Sequence, residues 1–260
     1  MAQLVKIMQC ASRYQTDLLR YAHRFIWLRN RRAEQWGLDQ GQAQARTLHP
    51  NDDRNKQEAF NDWLFEMQLK WASSTAEEQS QLPEEIEKQR WITELIREVN
   101  DLAFFFYRPV FLAKNAEIQL DSLLITSDTL WCILPIFGEE GSVFQEMSDR
   151  KWREIRTGGS HERLNPRIAL KRTRQVIASF LKNYELEMDL NMVLYAPDSF
   201  IEFVEEDRHL ICIDRRSKGD WHRELSQQSF LFKRKQFETV QKLLDHCQTE
   251  AVRRSPDLLL

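Results

Sequence analysis

The sequence predicts an α/β fold preceded by a helical extension, and three observations predict it. Apolar residues recur at helical spacing through residues 4–28, 60–71 and 84–102, then alternate as strands do from Phe104 onward. A helix start at Asn165-Pro166 falls between strand-like runs, the order produced when antiparallel hairpins feed a crossover helix. The chain has 260 residues, 42% of them hydrophobic, enough to bury a substantial core.

Taken in order, Leu4, Ile7, Met8, Leu18, Leu19, Ala22, Phe25 and Ile26 form one face of an amphipathic helix, with Ser12-Arg13-Tyr14 as a break point. Residues 37–55 are polar and Gln-rich, contain Pro50, and read as a loop. Phe60, Trp63, Leu64, Met67 and Trp71 mark a second helix, and Pro83-Glu84-Glu85 starts a third that buries Ile92, Leu95, Ile96, Val99 and Leu102. Strands are predicted over 104–112, 118–126, 130–137 and 142–147, with Gly138 to Gly141 as a hairpin tip. Residues 158–166 read as a turn-rich loop. Asn165 caps a helix over 166–183, where Pro166 supplies the fixed φ that a first turn accepts. Strands over 192–196, 201–204 and 210–213 precede a last helix carrying Phe230, Phe237, Val240, Leu244 and Cys247.

A formal net charge of −3 gives no general attraction to nucleic acid, so any basic surface must be local. The four cysteines are dispersed and form no CxxC pair, as expected of buried free thiols in a cytoplasmic protein. No run is long enough to span a membrane, and the first residues lack a signal-peptide core. A soluble protein with no membrane partner is expected.

The first candidate for chemistry is Asp121, a carboxylate on an otherwise apolar strand, where it must be paired, hydrogen-bonded or bound to metal. Glu117 and Gln119 share its strand parity, so two carboxylates and an amide on one face would offer oxygen ligands to Mg²⁺. The competing reading leaves Glu117 in solvent and pairs Asp121 with a cation such as Arg108. A second candidate is the stretch from Ser142 to Lys182, with ten basic residues against four acidic ones. Its Arg150, Lys151, Arg153, Arg167, Lys171 and Arg174 could meet a phosphate backbone, the last three forming one helical stripe. A solvated helix face is the alternative. Trp152 could stack on a base or anchor a sheet edge, and His161 has a route to solvent but no evident partner. The six histidines form no zinc motif, and there is no GxSxG, Walker loop or GxGxxG.

The helix bearing Glu87, the strands FFFYRPVFL, IQLDSLLIT and LWCILPIF, the segment GSVFQEMSDRKW and the helix start LNPRIAL together resemble the bacterial nuclease-related domain, NERD. That family is similar to the PD-(D/E)XK restriction-endonuclease-like fold. The resemblance spans residues 85–203 and implies a core of helix, antiparallel strands, crossover helix and strand. It divides the chain into a helical extension (1–82), a nuclease-related domain (83–214) and a C-terminal helix packing on the core (215–260). It also implies that Asp121 matches the strand aspartate and Glu87 the helical glutamate of a Mg²⁺-dependent site. The family's Glu-x-Lys falls at Leu134-Pro135-Ile136, and its crossover-helix glutamine near Ala169. Leucine cannot ligate a metal and isoleucine cannot stabilise developing charge, so the resemblance implies a fold without its usual chemistry.

Three functions stay open on these residues. The chain is a catalytically impaired nuclease-related protein that binds DNA or another nucleic acid; or an active Mg²⁺-dependent nuclease with a migrated site of Asp121, Glu87 or Glu117, and Lys171; or a non-catalytic protein-interaction module.

Overall fold

A computed structural model describes residues 1–38, 50–113, 116–202, 204–227 and 232–254. A six-stranded mixed sheet forms the centre. Its strands are β1 (Gln3–Ile7), β3 (Phe104–Tyr107), β6 (Ser122–Ile125), β7 (Thr129–Pro135), β11 (Asp189–Ala196) and β13 (Leu210–Asp214), lying in that order across the sheet. β1 and β3 are parallel, β6 runs against both its neighbours, and β7, β11 and β13 are parallel. The carboxyl ends of five strands therefore share one edge with the start of β6.

Helices sit on both faces. α1 (Arg13–Thr16), α2 (Leu18–Trp36), α6 (Arg167–Asn183) and α8 (Arg234–His246) bury Tyr14, Leu18, Phe25, Leu170, Ile177, Val240 and Leu243 with Phe104, Leu123 and Cys132. α4 (Glu84–Lys88), α5 (Arg90–Glu98) and α7 (Lys218–Ser226) bury Ile86, Trp91, Leu95 and Trp221 with Phe105, Leu124, Trp131 and Tyr195. α3 (Pro50–Ser73) wraps the β1 edge and contributes to both cores, Leu64 and Trp71 to one, Phe65 and Leu69 to the other. Because both faces of each central strand are covered, strands such as Phe104–Tyr107 are apolar throughout rather than alternating.

A second sheet packs beside the first in the order β10 (Gly159–Leu164), β9 (Lys151–Arg156), β8 (Val143–Glu146) and β12 (Phe200–Glu202). Two small pairings complete the fold: the hairpin β4 (Val110–Ala113) with β5 (Ala116–Gln119), and β2 (Glu78–Gln79) with β14 (Val252–Arg253).

Several sequence expectations are corrected. The helix expected over 4–28 is reduced to a single turn at Arg13–Thr16 and a long helix from Leu18, because residues 3–7 form a parallel strand buried on both sides. Asp17 caps that helix by accepting from the Arg20 N–H at 3.0 Å, and Gly37, at φ 72°, closes it by donating to the carbonyls of Ala33 and Glu34. Residues 1–82 are thus not purely helical, and β1 belongs to the central sheet. The loop expected over 37–55 gives way to helix from Pro50, and its 39–49 portion lies outside the described residues, as does Phe230. The helix expected over 84–102 is broken at Gln89.

The long strands over 104–112 and 118–126 are each cut in two. Arg108 adopts φ 43° before Pro109, which lacks an N–H, and the ladder stops there. Leu120 donates to the Pro109 carbonyl at 2.9 Å, and the hairpin beyond turns out of the main sheet. Residues 158–166, expected as a loop, instead form β10, paired with β9 along its length. The start of α6 agrees with expectation: Asn165 Oδ1 accepts from the Arg167 N–H at 2.9 Å.

Candidate functional site

At the carboxyl edge of the sheet a cleft of about 230 Å³ is lined by Gln89, Tyr107, Arg108, Asp121, Ser122, Ile133, Leu134, Pro135 and Phe137. Strand ends of this kind are where α/β sheets present residues to ligands. Asp121 precedes β6, and its position follows from the break at Leu120 that releases β5 and starts a new ladder. One carboxylate oxygen, Oδ2, accepts from the Thr173 hydroxyl at 2.8 Å across from α6, and Asp121 N–H lies 3.0 Å from the same oxygen of Thr173. Burial pushes the Asp121 carboxyl above its ordinary value, against the pull of Thr173 and the charges of Arg172 and Arg108.

The opposite strand supplies no ligand. Ser122 pairs with Ile133, so the same register continued places Leu134 across from Asp121, with Ile136 one pleat further along the same face. Ile136 belongs to the core, and beyond it Phe144, Trp152, Leu164 and Pro166 enclose a mostly apolar hollow of about 360 Å³. Hydrocarbon lines the strand opposite Asp121.

The structure does not bring Glu117 to Asp121. The expectation that the two share one strand face is corrected: Glu117 lies on the separate β5 hairpin, exposed, and accepts from Gln248 Nε2 at 2.7 Å. Lys171 is exposed on α6 and its charge acts on Asp207, whereas the α6 cation that acts on Asp121 is Arg172. Arg172 Nη2 also donates to the Gln119 carbonyl at 3.4 Å. Glu87 lies in α4, and its side chain falls outside what is described. Arg108, the expected partner of Asp121, donates instead to Glu85 at 3.0 Å and to Gln119 at 3.5 Å.

Among the described residues no group of three or more His, Cys, Asp or Glu side chains converges, and Asp121 is flanked by two guanidinium charges that would repel a cation.

The basic segment is also largely spent internally. Arg167 is only 5% exposed, and its Nη1 bonds both oxygens of Glu146 at 2.9 and 2.8 Å, with Asp207 3.7 Å away. It is removed from the exposed stripe expected of Arg167, Lys171 and Arg174. Lys151 pairs with Glu162 at 2.6 Å and Arg153 donates to Gln145 at 2.9 Å. Arg156 and Arg163 converge on Glu154, which is wholly buried; burial disfavours its charge, but the two cations and the Glu139 N–H hold its carboxyl down at about 2. Arg150 and Lys171 are exposed and Arg174 is half-buried. Trp152, at 1% exposure, is a core residue and cannot stack on a base. His161 is exposed on β10 rather than in a loop.

Two buried polar groups escaped the sequence reading. Lys6, alternating with Val5 and Ile7 on β1, sits wholly inside, its ammonium donating to the Cys10 carbonyl at 2.7 Å and to Gln15 and Thr249 at 3.0 Å each. His222 on α7 meets the Tyr195 hydroxyl at 3.2 Å; burial and the nearby Lys218 charge lower its pKa to about 4. Neither carries a motif: Lys6 is completed by Thr249 from the far end of the described chain, and His222 by Tyr195 on β11. All four cysteines are free thiols, with Cys10, Cys132 and Cys247 buried. No described helix is long and apolar enough to cross a membrane. No family model matches the chain, and no curated protein or solved structure shows significant similarity to it.

Proposed function

We propose that this chain is a nuclease-related protein of the NERD type that has lost cleavage and binds nucleic-acid backbone through the outward cations of its 150–174 segment. The observation that carries the loss of cleavage is the apolar pair Leu134 and Ile136 facing a lone Asp121. The order of α5, the antiparallel strands β3, β6 and β7, crossover helix α6 and parallel strand β11 supports the restriction-endonuclease-like reading. Fold alone does not carry function, so the binding half rests on Arg150, Lys171, Arg172 and Arg174. Arg150, Lys171 and Arg172 are exposed, and Arg174 is half-buried on α6.

The test incubates the purified chain with plasmid and oligonucleotides in Mg²⁺ or Mn²⁺. No cleavage is expected, together with binding whose log K falls linearly with log salt. Metal-dependent cutting abolished by Asp121→Asn would overturn the loss of catalysis. Binding unchanged when Arg150, Lys171, Arg172 and Arg174 are all replaced by glutamine would overturn the assignment of the surface.

A further inference from the structure

The outer face of α2 carries a run of exposed positive charge with no described carboxylate at ion-pair distance. The helix holds five arginines against one glutamate. Leu18, Ala22 and Phe25 spend its apolar side on the core. At 3.6 residues per turn, Arg20, Arg24, Trp27 and Arg31 fall within roughly 60° of arc on the opposite side, along about 16 Å of helix. All four are exposed, Trp27 to 54%.

Two features separate this stripe from the basic segment that ends in α6. Among the described residues, no carboxylate lies within ion-pair distance of Arg20, Arg24 or Arg31, whereas Lys151, Arg156, Arg163 and Arg167 all have such partners. The stripe also carries an exposed aromatic plane in its middle: the Arg31 guanidinium sits over the Trp27 ring, 5.0 Å from its centroid. A planar ring braced by a cation and flanked by guanidinium groups is the arrangement that stacks an unpaired base while neutralising the phosphates beside it.

We propose that α2 is a binding track for single-stranded nucleic acid, in which Trp27 stacks a base and Arg20, Arg24 and Arg31 neutralise successive phosphates. Charge complementarity selects a polyanion. A membrane surface is disfavoured because an interfacial helix needs a free apolar face, and that of α2 already lies in the core. A duplex hides its base faces from the ring. The surface lies outside the nuclease-like region, and its role does not rest on the function proposed for that region.

The experiment measures fluorescence anisotropy of labelled dT20 and rU20 across a salt series with the full chain, using duplex DNA and anionic phosphatidylglycerol vesicles as competitors. Either single strand is expected to bind, the preferred one identifying DNA or RNA as the source of the shared chemistry. Combined Arg20→Gln, Arg24→Gln and Arg31→Gln is expected to lower the slope of log K against log salt by about 2. Trp27→Ala is expected to weaken binding at least about tenfold at unchanged slope, and Trp27→Phe to restore most of it. All these positions face solvent, and an unchanged thermal midpoint checks that the variants stay folded. Single-strand binding that survives both sets of substitutions, stronger binding to duplex, displacement by vesicles alone, or no binding at low salt would each overturn the proposal. The glutamine variants of Arg150, Lys171, Arg172 and Arg174, run in parallel, report on the other surface separately.

Discussion

Asp121 shows how one neighbour changes what a carboxylate is for. Its polar partner is the buried Thr173 hydroxyl, its strand-facing neighbour is Leu134, and burial raises its pKa. An acid whose folded pKa is raised contributes most when protonated and weakens the fold as pH rises through that value. Asp121→Asn keeps an acceptor for Thr173 and removes the buried charge. It is expected to be more stable than the parent at pH 7, with the difference vanishing as pH falls toward 3.8. Thr173→Val leaves the carboxylate without its hydroxyl and is expected to cost about 1–3 kcal/mol at pH 7. Chemical denaturation of both variants across pH checks the pair; a destabilised Asp121→Asn at neutral pH would show that the charge has a partner worth keeping. The identity of Asp121 as an unusual strand acid was legible from its apolar neighbours. Its partner was not, since Thr173 lies 52 residues away and reaches it only because α6 crosses back over the sheet.

At the scale of the element, β1 carries the clearest energetic signature. A strand buried on both faces at the sheet edge has no room for a solvated lysine, yet Lys6 stays inside because three oxygens take its three N–H donors. Burial nevertheless lowers its pKa from 10.5 to about 8. The folded state therefore releases this proton before the unfolded state does, and Lys6 costs stability below pH 8, a cost relieved as pH rises from 8 to 10.5. Neighbouring Cys10 and Cys247, pushed up by burial to about 11 and about 12, act in the opposite sense at higher pH. The contribution of Lys6 is thus read as the difference between parent and Lys6→Met. That difference is expected to shift in favour of the parent between pH 8 and 10.5, and a flat difference would contradict it. Helical spacing of Leu4, Ile7 and Met8 pointed to a helix here. The strand prevails because an isolated first turn nucleates poorly, while the edge of β3 offers a parallel ladder of four residue pairs.

Across the whole molecule, the first two expected segments supply the central sheet, and all three contribute to the two cores on its faces. β1 from the first segment is an outer strand of the central sheet, α3 wraps its edge, and α7 and α8 from the last segment cover opposite faces. Gln248 donates its N–H to the Val110 carbonyl, and β14 pairs with β2, so residues 248–253 fasten onto both earlier segments. Residues 83–214 expressed alone would expose the β3 edge and the apolar surfaces beneath α2, α3 and α8. Such a fragment is expected to be insoluble or to lack near-UV dichroism and cooperative unfolding, and a cooperatively folding fragment would refute the interdependence of the three segments. A further whole-molecule effect comes from His222. Its pKa falls from 6.5 to about 4 on folding, so the stability it confers is complete above pH 6.5 and is lost as pH drops through that window, by on the order of 3 kcal/mol. Acid unfolding of His222→Gln is expected to lack that part of the slope.

The α/β class, the Asn165 start of α6 and the approximate places of β3, β6, β7, β11 and β13 were readable along the chain, as was the apolar character of Leu134 and Ile136. These are local facts, set by hydrophobic period, cap chemistry and residue identity along one segment. Tertiary contacts made residues 3–7 a strand, set Glu117 apart from Asp121 on its own hairpin, consumed Arg167 in its pairing with Glu146, and left Arg20, Arg24 and Arg31 of α2 with no described carboxylate at ion-pair distance. Burial and pairing depend on which distant segments meet, and a net charge counted along the chain cannot tell a solvated cation from one neutralised inside the fold.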